Sequence, residues 1–230
     1  WEGAFEKLIS STLKGIIPIE INTPPVLIKD IPCLNSIIEK LRETDAYDTT
    51  KSLLTAFGVH INPEVPSDNA QVILSFMQAF ILLNEWIKSK MPLDLSRKLS
   101  GFVKDYPESY CQKILHKDYR PNLDELIEDY MIDNPTRNRA LDMLPLFAYL
   151  KGINIIEKYR IEKLNPRPTF HYRLANSYFS KKEWDFSKEW RRWLYVESLA
   201  KQDELRQTMI NEYLSSRPSE WVKRTKDYIQ

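Results

Sequence analysis

The sequence predicts a helix-rich α+β protein in which helices pack on one face of an antiparallel sheet. Two observations lead to this prediction. Apolar residues recur at helical spacing through most of the chain, and three short segments alternate between apolar and polar residues, as half-buried strands do. Three alternating strands are too few to close a barrel, so the sheet needs helices to cover its apolar face.

The predicted elements follow one another along the whole chain. Helical spacing predicts helices over residues 4–14, 32–44, 68–90, 136–150, 181–214 (in one or two pieces) and 218–229. Alternation predicts strands over residues 16–22, 53–62 and 169–174. Prolines interrupt residues 93–133, which we interpret as a helical insertion. No Ser/Gly-rich linker divides the chain, so a single domain over residues 1–230 is expected.

Composition excludes several classes of protein. The chain has 33 Lys+Arg against 32 Asp+Glu, a formal net charge of +1, so we expect no nucleic-acid partner and no membrane partner. Polar side chains interrupt the longest apolar run, residues 72–87, so we expect no segment that spans a membrane. With only five glycines, neither GxGxxG nor GxxxxGK[ST] occurs. Cys33 and Cys111 have no metal-type spacing, and we expect free thiols in the cytoplasm.

Each predicted strand carries polar groups opposite its apolar residues. These are Glu20 in the first strand, His60 in the second, and His171 and Arg173 in the third. If the strands are neighbours, the four side chains meet on one surface. A carboxylate with two imidazoles can hold a divalent cation, and a guanidinium can bind carboxylate or phosphate. The alternative is an ordinary wet sheet face with cross-strand ion pairs.

A second cluster of cations opens the predicted helix 136–150. Thr136 is a suitable N-cap, which places Arg137 and Arg139 in the first helical turn. Cations there oppose the helix dipole, so two of them indicate that an anion also docks at this helix start. The alternative is an ion pair between Arg139 and Asp142, three residues apart.

Four motifs along the chain point to a family. Residues 19–25 (IEINTPP) resemble an E-(I/L)-x-(S/T)-P-P strand, and residues 57–62 (FGVHIN) a G-(L/V/I)-H-(V/I) strand. Residues 136–142 (TRNRALD) resemble an Arg-rich helix start, and residues 168–174 (PTFHYRL) a T-x-E-(F/Y)-R strand. In this order, over roughly residues 16–200, they resemble the amidoligases, relatives of glutamate–cysteine ligase in the glutamine synthetase-like carboxylate–amine ligase superfamily.

The resemblance implies a ligase that uses ATP and Mg²⁺ or Mn²⁺. It would join the carboxylate of an amino acid or peptide to an amine through an acyl phosphate, on a glutamine synthetase-like sheet that needs no glycine loop. By the same resemblance, Glu20 would bind the metal and His60 would contact metal or nucleotide phosphate. Arg137, Arg139 and Arg173 would stabilise phosphoryl oxygens or a substrate carboxylate, and Arg173 would thereby contact the nucleotide.

Two features depart from the family pattern. His171 stands where the family has Glu. As a third metal ligand beside Glu20 and His60, an imidazole favours Mn²⁺ or Zn²⁺ over Mg²⁺; otherwise it serves as a hydrogen-bonding group. The family's earlier G-x-E-x-E strand is absent from the 15 residues before Ile16, so we expect the domain to lack its N-terminal strands.

Two other functions stay open from the sequence. Glu20, His60 and His171 also suit a two-His-one-carboxylate site of a metal-dependent hydrolase or oxygenase. A ligase-like domain without catalysis, retained as a binding module, is the third hypothesis. The sequence fixes neither the identity of the substrates nor the oligomeric state.

Overall fold

The computed structural model describes residues 21–43, 59–90, 103–152, 164–173 and 181–229. The chain divides into two compact units, the first within residues 1–59 and 176–188, the second within residues 60–175 and 189–230. The described residues are helix-rich, with one two-stranded antiparallel sheet. This composition makes the protein α+β. The single domain and its helical insertion stay predictions.

The first unit contains a short 3₁₀ helix, Ile28–Cys33, that continues directly into α1, Leu34–Arg42. The predicted helix over residues 32–44 is therefore confirmed. Arg42, at the end of α1, donates hydrogen bonds to the backbone oxygens of Lys181 (2.9 Å) and Trp184 (2.5 Å). These bonds hold the segment before the C-terminal helices against α1.

Helix α2, Ala70–Ser89, is the most buried helix described in the second unit, and it confirms the predicted helix over residues 68–90. Asn69 caps its N-terminus, accepting a hydrogen bond from the backbone N–H of Gln71 at 2.8 Å. In the C-terminal half of α2, the carbonyl of Leu82 accepts a hydrogen bond from the Trp221 indole at 2.8 Å. Apolar side chains cover nearly its whole circumference because it is packed on several sides.

Length and composition would also allow α2 to cross a membrane, and it is the one described helix that passes this test. In the folded chain, 78% of its most apolar 18-residue window is buried against other parts of the protein. The core helix of a folded domain is likewise long and apolar, and it is likewise mostly buried by the rest of the protein.

Six further helices follow among the described residues. They are α3 (Glu108–Ile114), α4 (Leu123–Asp133), α5 (Leu144–Lys151), α6 (Phe186–Ala200), α7 (Asp203–Ser215) and α8 (Pro218–Tyr228). Asn122 and Glu125 start α4 with a reciprocal capping box, with bonds of 3.0 and 2.8 Å. A break at residues 201–202 divides the predicted helix 181–214 into two.

The sheet consists of β1, Leu141–Asp142, and β2, His171–Tyr172, paired antiparallel. On the other side of β2, Ile61 and Tyr172 exchange two backbone hydrogen bonds of 3.1 and 2.9 Å. A second bridge joins Glu64 to Thr169. The segment that contains β2 therefore lies between two extended neighbours, one within residues 61–64 and the other at β1.

The three predicted strands have different outcomes. The strand over residues 169–174 is confirmed as a shorter element, β2. Of the strand over residues 53–62, the end is described, and it bridges β2 at Ile61. Of the strand over residues 16–22, only residues 21 and 22 are described, and neither is in a strand. On the described edge, β1 is the second neighbour of β2, which the sequence analysis did not predict.

The predicted helix over residues 136–150 is wrong in its first half. Helix α5 begins only at Leu144, and the chain before it is a turn followed by β1. Pro145 explains the difference. A proline has no N–H and its ring clashes with the carbonyl four residues earlier, so a helix tolerates it only in the first turn.

Because α5 begins only at Leu144, two predicted site residues lie outside the helix. The Thr136 hydroxyl accepts a hydrogen bond from the backbone N–H of Asn138 at 3.2 Å, which closes a local turn rather than capping a helix. Arg137 and Arg139 therefore do not lie at a helix N-terminus. The explanation of their charges by a helix dipole is withdrawn.

Candidate functional site

The segment around β2 separates an apolar face from a polar one. Phe170 and Tyr172 are fully buried, and their rings lie 5.4 and 5.6 Å from the ring of Trp193. Helices α2 and α6 supply the neighbours on this face. Because successive strand residues point to opposite faces, His171 and Arg173 lie on the other side.

The register of the extended segments brings more polar groups to that side. It sets His60 opposite Arg173 on one neighbour of β2, and Asp142 opposite His171 on the other. The rings of His60 and His171 meet edge to face, with centroids 5.1 Å apart. Two imidazoles, a guanidinium and a carboxylate are thus adjacent. With Arg137 and Arg167, described below, they form what we call the polar face.

Asp142 holds His171 in one orientation. Its Oδ2 lies 3.3 Å from His171 Nδ1, and its Oδ1 accepts a hydrogen bond from the backbone N–H of Leu144 at 3.1 Å. Asp142 has no solvent exposure, and His171 is 3% exposed. A carboxylate only accepts hydrogen bonds, so the facing Nδ1 carries the proton. In the neutral ring, Nε2 is then an acceptor.

Both imidazoles are uncharged near neutral pH. Burial lowers the pKa of His171, and this outweighs the opposing effect of Asp142. The pKa of His60 falls to about 4, first through burial, then through its coupling to the neighbouring His171, and then through the cations Arg173, Arg167 and Arg137. By surface area His60 is exposed, and the protein atoms and cations on its inner side make its protonation unfavourable.

Three guanidinium groups act on the histidines. Arg137, Arg167 and Arg173 each lower the pKa of His60 by their positive charge. Arg173 is half-buried, and its Nη1 donates to the backbone oxygen of Arg137 at 2.8 Å. Burial also lowers the pKa of Arg173, although a guanidinium stays charged at any physiological pH. Convergent guanidiniums are the groups that proteins use to bind phosphate or carboxylate in two-point geometry.

Arg139 is placed differently. Its guanidinium is largely buried and donates to the backbone carbonyls of Asp105 and Asp133, the latter at 3.2 Å. The proposed ion pair with Asp142 is not formed, because the carboxylate of Asp142 faces His171. These contacts indicate that Arg139 fixes the backbone beside β1. Its catalytic role stays a prediction, which the contacts do not favour.

The predicted metal ligands are described only in part. Glu20 lies outside the described residues. Among those that the structure describes, no three His, Cys, Asp or Glu side chains gather as a metal-binding group. His171 uses Nδ1 toward Asp142, and this contact leaves Nε2 available either for a hydrogen bond or for a metal. Metal binding by Glu20, His60 and His171 stays a prediction.

The sequence analysis missed two residues of the polar face, Asp142 and Arg167. Alternation continued back from residues 169, 171 and 173 reaches Arg167, although the chain bends at Pro168, where the Thr169 N–H donates to the Arg167 carbonyl at 2.8 Å. For Asp142 the sequence signal was Pro145. This proline prevents a helix from continuing through it, so the residues before it can form a strand.

An α+β protein with histidines and arginines gathered on one face of a small sheet has the chemistry of enzymes that bind phosphate or carboxylate groups. The chain matches the family described as "putative amidoligase enzyme" over residues 4–195, and it belongs to that family. It is accordingly a ligase-type enzyme. The matched range includes the whole polar face. No curated protein and no solved structure matches the chain.

Proposed function

We propose that this protein is an ATP-dependent carboxylate–amine ligase whose polar face binds the reacting anions. The observation that carries the proposal is the placement of His60, His171 and Arg173 on one side of β2, where the charges of Arg137 and Arg167 also lower the pKa of His60. Phosphoryl transfer depends mainly on positioning and on neutralising negative charge, which guanidinium groups do well. Membership of the amidoligase family supplies the reaction class.

In the proposed reaction, a carboxylate oxygen of the substrate attacks the γ-phosphorus of ATP as the bond to ADP breaks. The amine nitrogen then attacks the acyl carbon, phosphate leaves, and the nitrogen loses a proton as the amide forms. Arg137, Arg167 and Arg173 neutralise the phosphoryl and carboxylate oxygens in both steps. His60 donates a hydrogen bond to a bound oxygen without adding positive charge, and Asp142 keeps His171 oriented with Nε2 as an acceptor.

The described residues fit phosphate groups better than a divalent cation. Mg²⁺ prefers several oxygen ligands. Asp142 already faces Leu144 and His171 with its two oxygens, and Glu64, opposite Thr169 on the same side, is exposed. No step is therefore assigned to a metal. No described feature favours the hydrolase or oxygenase alternative over the ligase.

The sheet also bears on the proposed fold. Helices cover its apolar face, and the polar face carries the anion-binding groups, as expected for a nucleotide site built on an antiparallel sheet. We propose a cytoplasmic enzyme of glutamine synthetase-like fold. Its substrates would be an amino-acid or peptide carboxylate and an amine, with no nucleic acid or membrane partner.

An activity survey tests this proposal. The full chain is incubated with ATP, Mg²⁺ or Mn²⁺, and pairs of amino acids and amines, and ADP release is measured. Release is expected only when both substrates are present, and Arg173→Ala should lower it at least roughly tenfold, the loss of one strong charged contact. Arg120→Ala is the matched control, because exposed Arg120 bonds only to the adjacent carbonyl of Tyr119 among the described contacts. No ADP release with any pair, together with no ATP binding by calorimetry, would refute the proposal.

A further inference from the structure

A cavity of about 290 Å³ lies among helices α2, α3, α7 and α8 and the strand β1. This volume is close to the lower limit of small-molecule pockets, about 300 Å³. No residue of the polar face lines it. The cavity is therefore a separate feature of the second unit, and the proposed ligase reaction gives it no role.

Aromatic side chains form much of its wall. Tyr213 and Trp221 pack edge to face with ring centroids 5.5 Å apart. The Trp221 indole is held by its hydrogen bond to the carbonyl of Leu82, and the Tyr106 hydroxyl donates to the carbonyl of Leu141. Because these aromatic groups are fixed by contacts within the protein, the wall is formed before any ligand arrives.

Three carboxylates, Glu85, Asp105 and Glu108, also line the cavity. Lys88 pairs with Glu85 at 3.0 Å and with Asp105, so one ammonium offsets two of these negative charges in part. Glu108 receives a weaker bond from the neutral amide of Gln112 at 3.3 Å. Carboxylates thus outnumber cations at this lining.

Two protonated groups in the wall respond to that charge. Burial raises the pKa of Tyr213 to about 12, and Glu85, Glu108 and Asp105 add to this effect. Burial, Asp105 and Glu108 likewise raise the pKa of Cys111 to about 12, against the opposing effect of Arg139. The thiol stays protonated, so it is neither a nucleophile nor a metal ligand at neutral pH. The cavity presents a negative potential beside aromatic rings.

We propose that this cavity binds a small ligand with a primary ammonium group on an apolar body, such as an arylalkylamine. Carboxylates attract the ammonium, and aromatic rings bind both the cation and the apolar body. Asp105 and Glu108 are exposed at the cavity, so an ammonium that enters it can reach their carboxylates.

Calorimetry with three related probes tests the charge requirement on the full chain. The probes are phenethylamine, its uncharged counterpart 2-phenylethanol, and its anionic counterpart phenylacetate. The proposal predicts one-to-one binding of phenethylamine, weakened by salt, and at least roughly tenfold weaker binding of the other two, since each lacks the charged contact. Equal binding of the alcohol, or no binding of the amine at millimolar concentration, would overturn it.

Two variants place the binding in this cavity. Glu108→Gln should weaken phenethylamine binding by roughly three- to tenfold, as expected for one charge near a surface. The matched control Glu128→Gln makes the same change on the exposed surface of α4 and should leave binding unchanged. Leu214→Trp enlarges a side chain that is 46% exposed at the cavity and should abolish binding without disturbing the core. Undiminished binding in the folded Leu214→Trp variant would contradict the assignment, as would equal losses in Glu108→Gln and Glu128→Gln. Thermal unfolding of each variant establishes that it is folded.

Discussion

The two faces of the segment around β2 differ in how their neighbours are supplied. Phe170 and Tyr172 pack on aromatic side chains of two long helices, α2 and α6. His171 and Arg173 instead meet single residues from short extended segments far away in the chain. One face contributes to stability through buried area, and the other gathers charged and hydrogen-bonding groups. Substitutions on the apolar face should therefore change mainly the free energy of unfolding, and substitutions on the polar face mainly the affinity for ATP.

The largest effect is expected from truncating the apolar face. Phe170→Ala removes a fully buried ring that stacks on Phe76 at 4.9 Å, and it should lower the free energy of unfolding by about 3–5 kcal/mol. Urea unfolding followed by fluorescence measures the change. Phe170→Leu is the control and should cost clearly less, because more of the volume is kept. A cost below about 1 kcal/mol for Phe170→Ala would show that this face is not a core.

The opposite face should show the reverse pattern. Arg173→Ala removes one hydrogen bond, to the backbone oxygen of Arg137, and should lower the free energy of unfolding by only about 0.5–1.5 kcal/mol. Its affinity for ATP should fall roughly ten- to hundredfold, the loss of a strong charged contact. Calorimetry measures the affinity, and urea unfolding measures the stability. A large loss of stability with unchanged ATP affinity would assign Arg173 to the core instead.

A smaller effect is expected where Asp142 orients His171. Asp142→Asn keeps an oxygen for the N–H of Leu144 but removes the charge that favours protonation of His171. The pKa of His171 should therefore fall further, and the free energy of unfolding should decrease by about 1–2 kcal/mol. NMR titration of the imidazole measures the first change. A rise in the His171 pKa would contradict the proposed contact. Asp124→Asn, a change at an exposed carboxylate on α4, is the matched control.

The smallest expected effect is on how the free energy of unfolding depends on pH. Burial and neighbouring cations lower the pKa of His60 to about 4, below the 6.5 of an unfolded chain. The unfolded state therefore binds more protons between these values, so this residue lowers stability as the pH falls from about 6.5 toward 4. His60→Asn should flatten the dependence of unfolding free energy on pH in that window. An unchanged slope would show that His60 does not carry this coupling. High salt should weaken the part contributed by the arginines.

The apolar face was predictable from local pattern. The spacing within residues 68–90 predicted α2, and alternation in residues 169–174 put Phe170 and Tyr172 on one side. Both patterns reflect burial, which acts on many residues at once and leaves a periodic record in the sequence. Helix boundaries were harder to predict, because Pro145 stands inside a segment whose composition is otherwise helical.

The polar face was only partly predictable. Alternation selected His60, His171 and Arg173, and it would have selected Arg167 if the strand had been extended by one more pair of residues. To predict Asp142 on this face, one must know which segment pairs with β2. Strand pairing between segments distant in sequence leaves no periodic signal. Family resemblance named Arg137 and Arg139 together, but their contacts differ: Arg137 acts on His60, and Arg139 bonds to backbone carbonyls.

One isotope measurement tests the central claim most directly. A substrate carboxylate labelled with ¹⁸O is incubated with the protein, ATP and an amine, and the released phosphate is analysed by mass. If the polar face promotes attack of the carboxylate on the γ-phosphorus, one labelled oxygen per turnover moves into phosphate. Product formation with unlabelled phosphate would contradict the acyl-phosphate route and the role that we propose for the polar face.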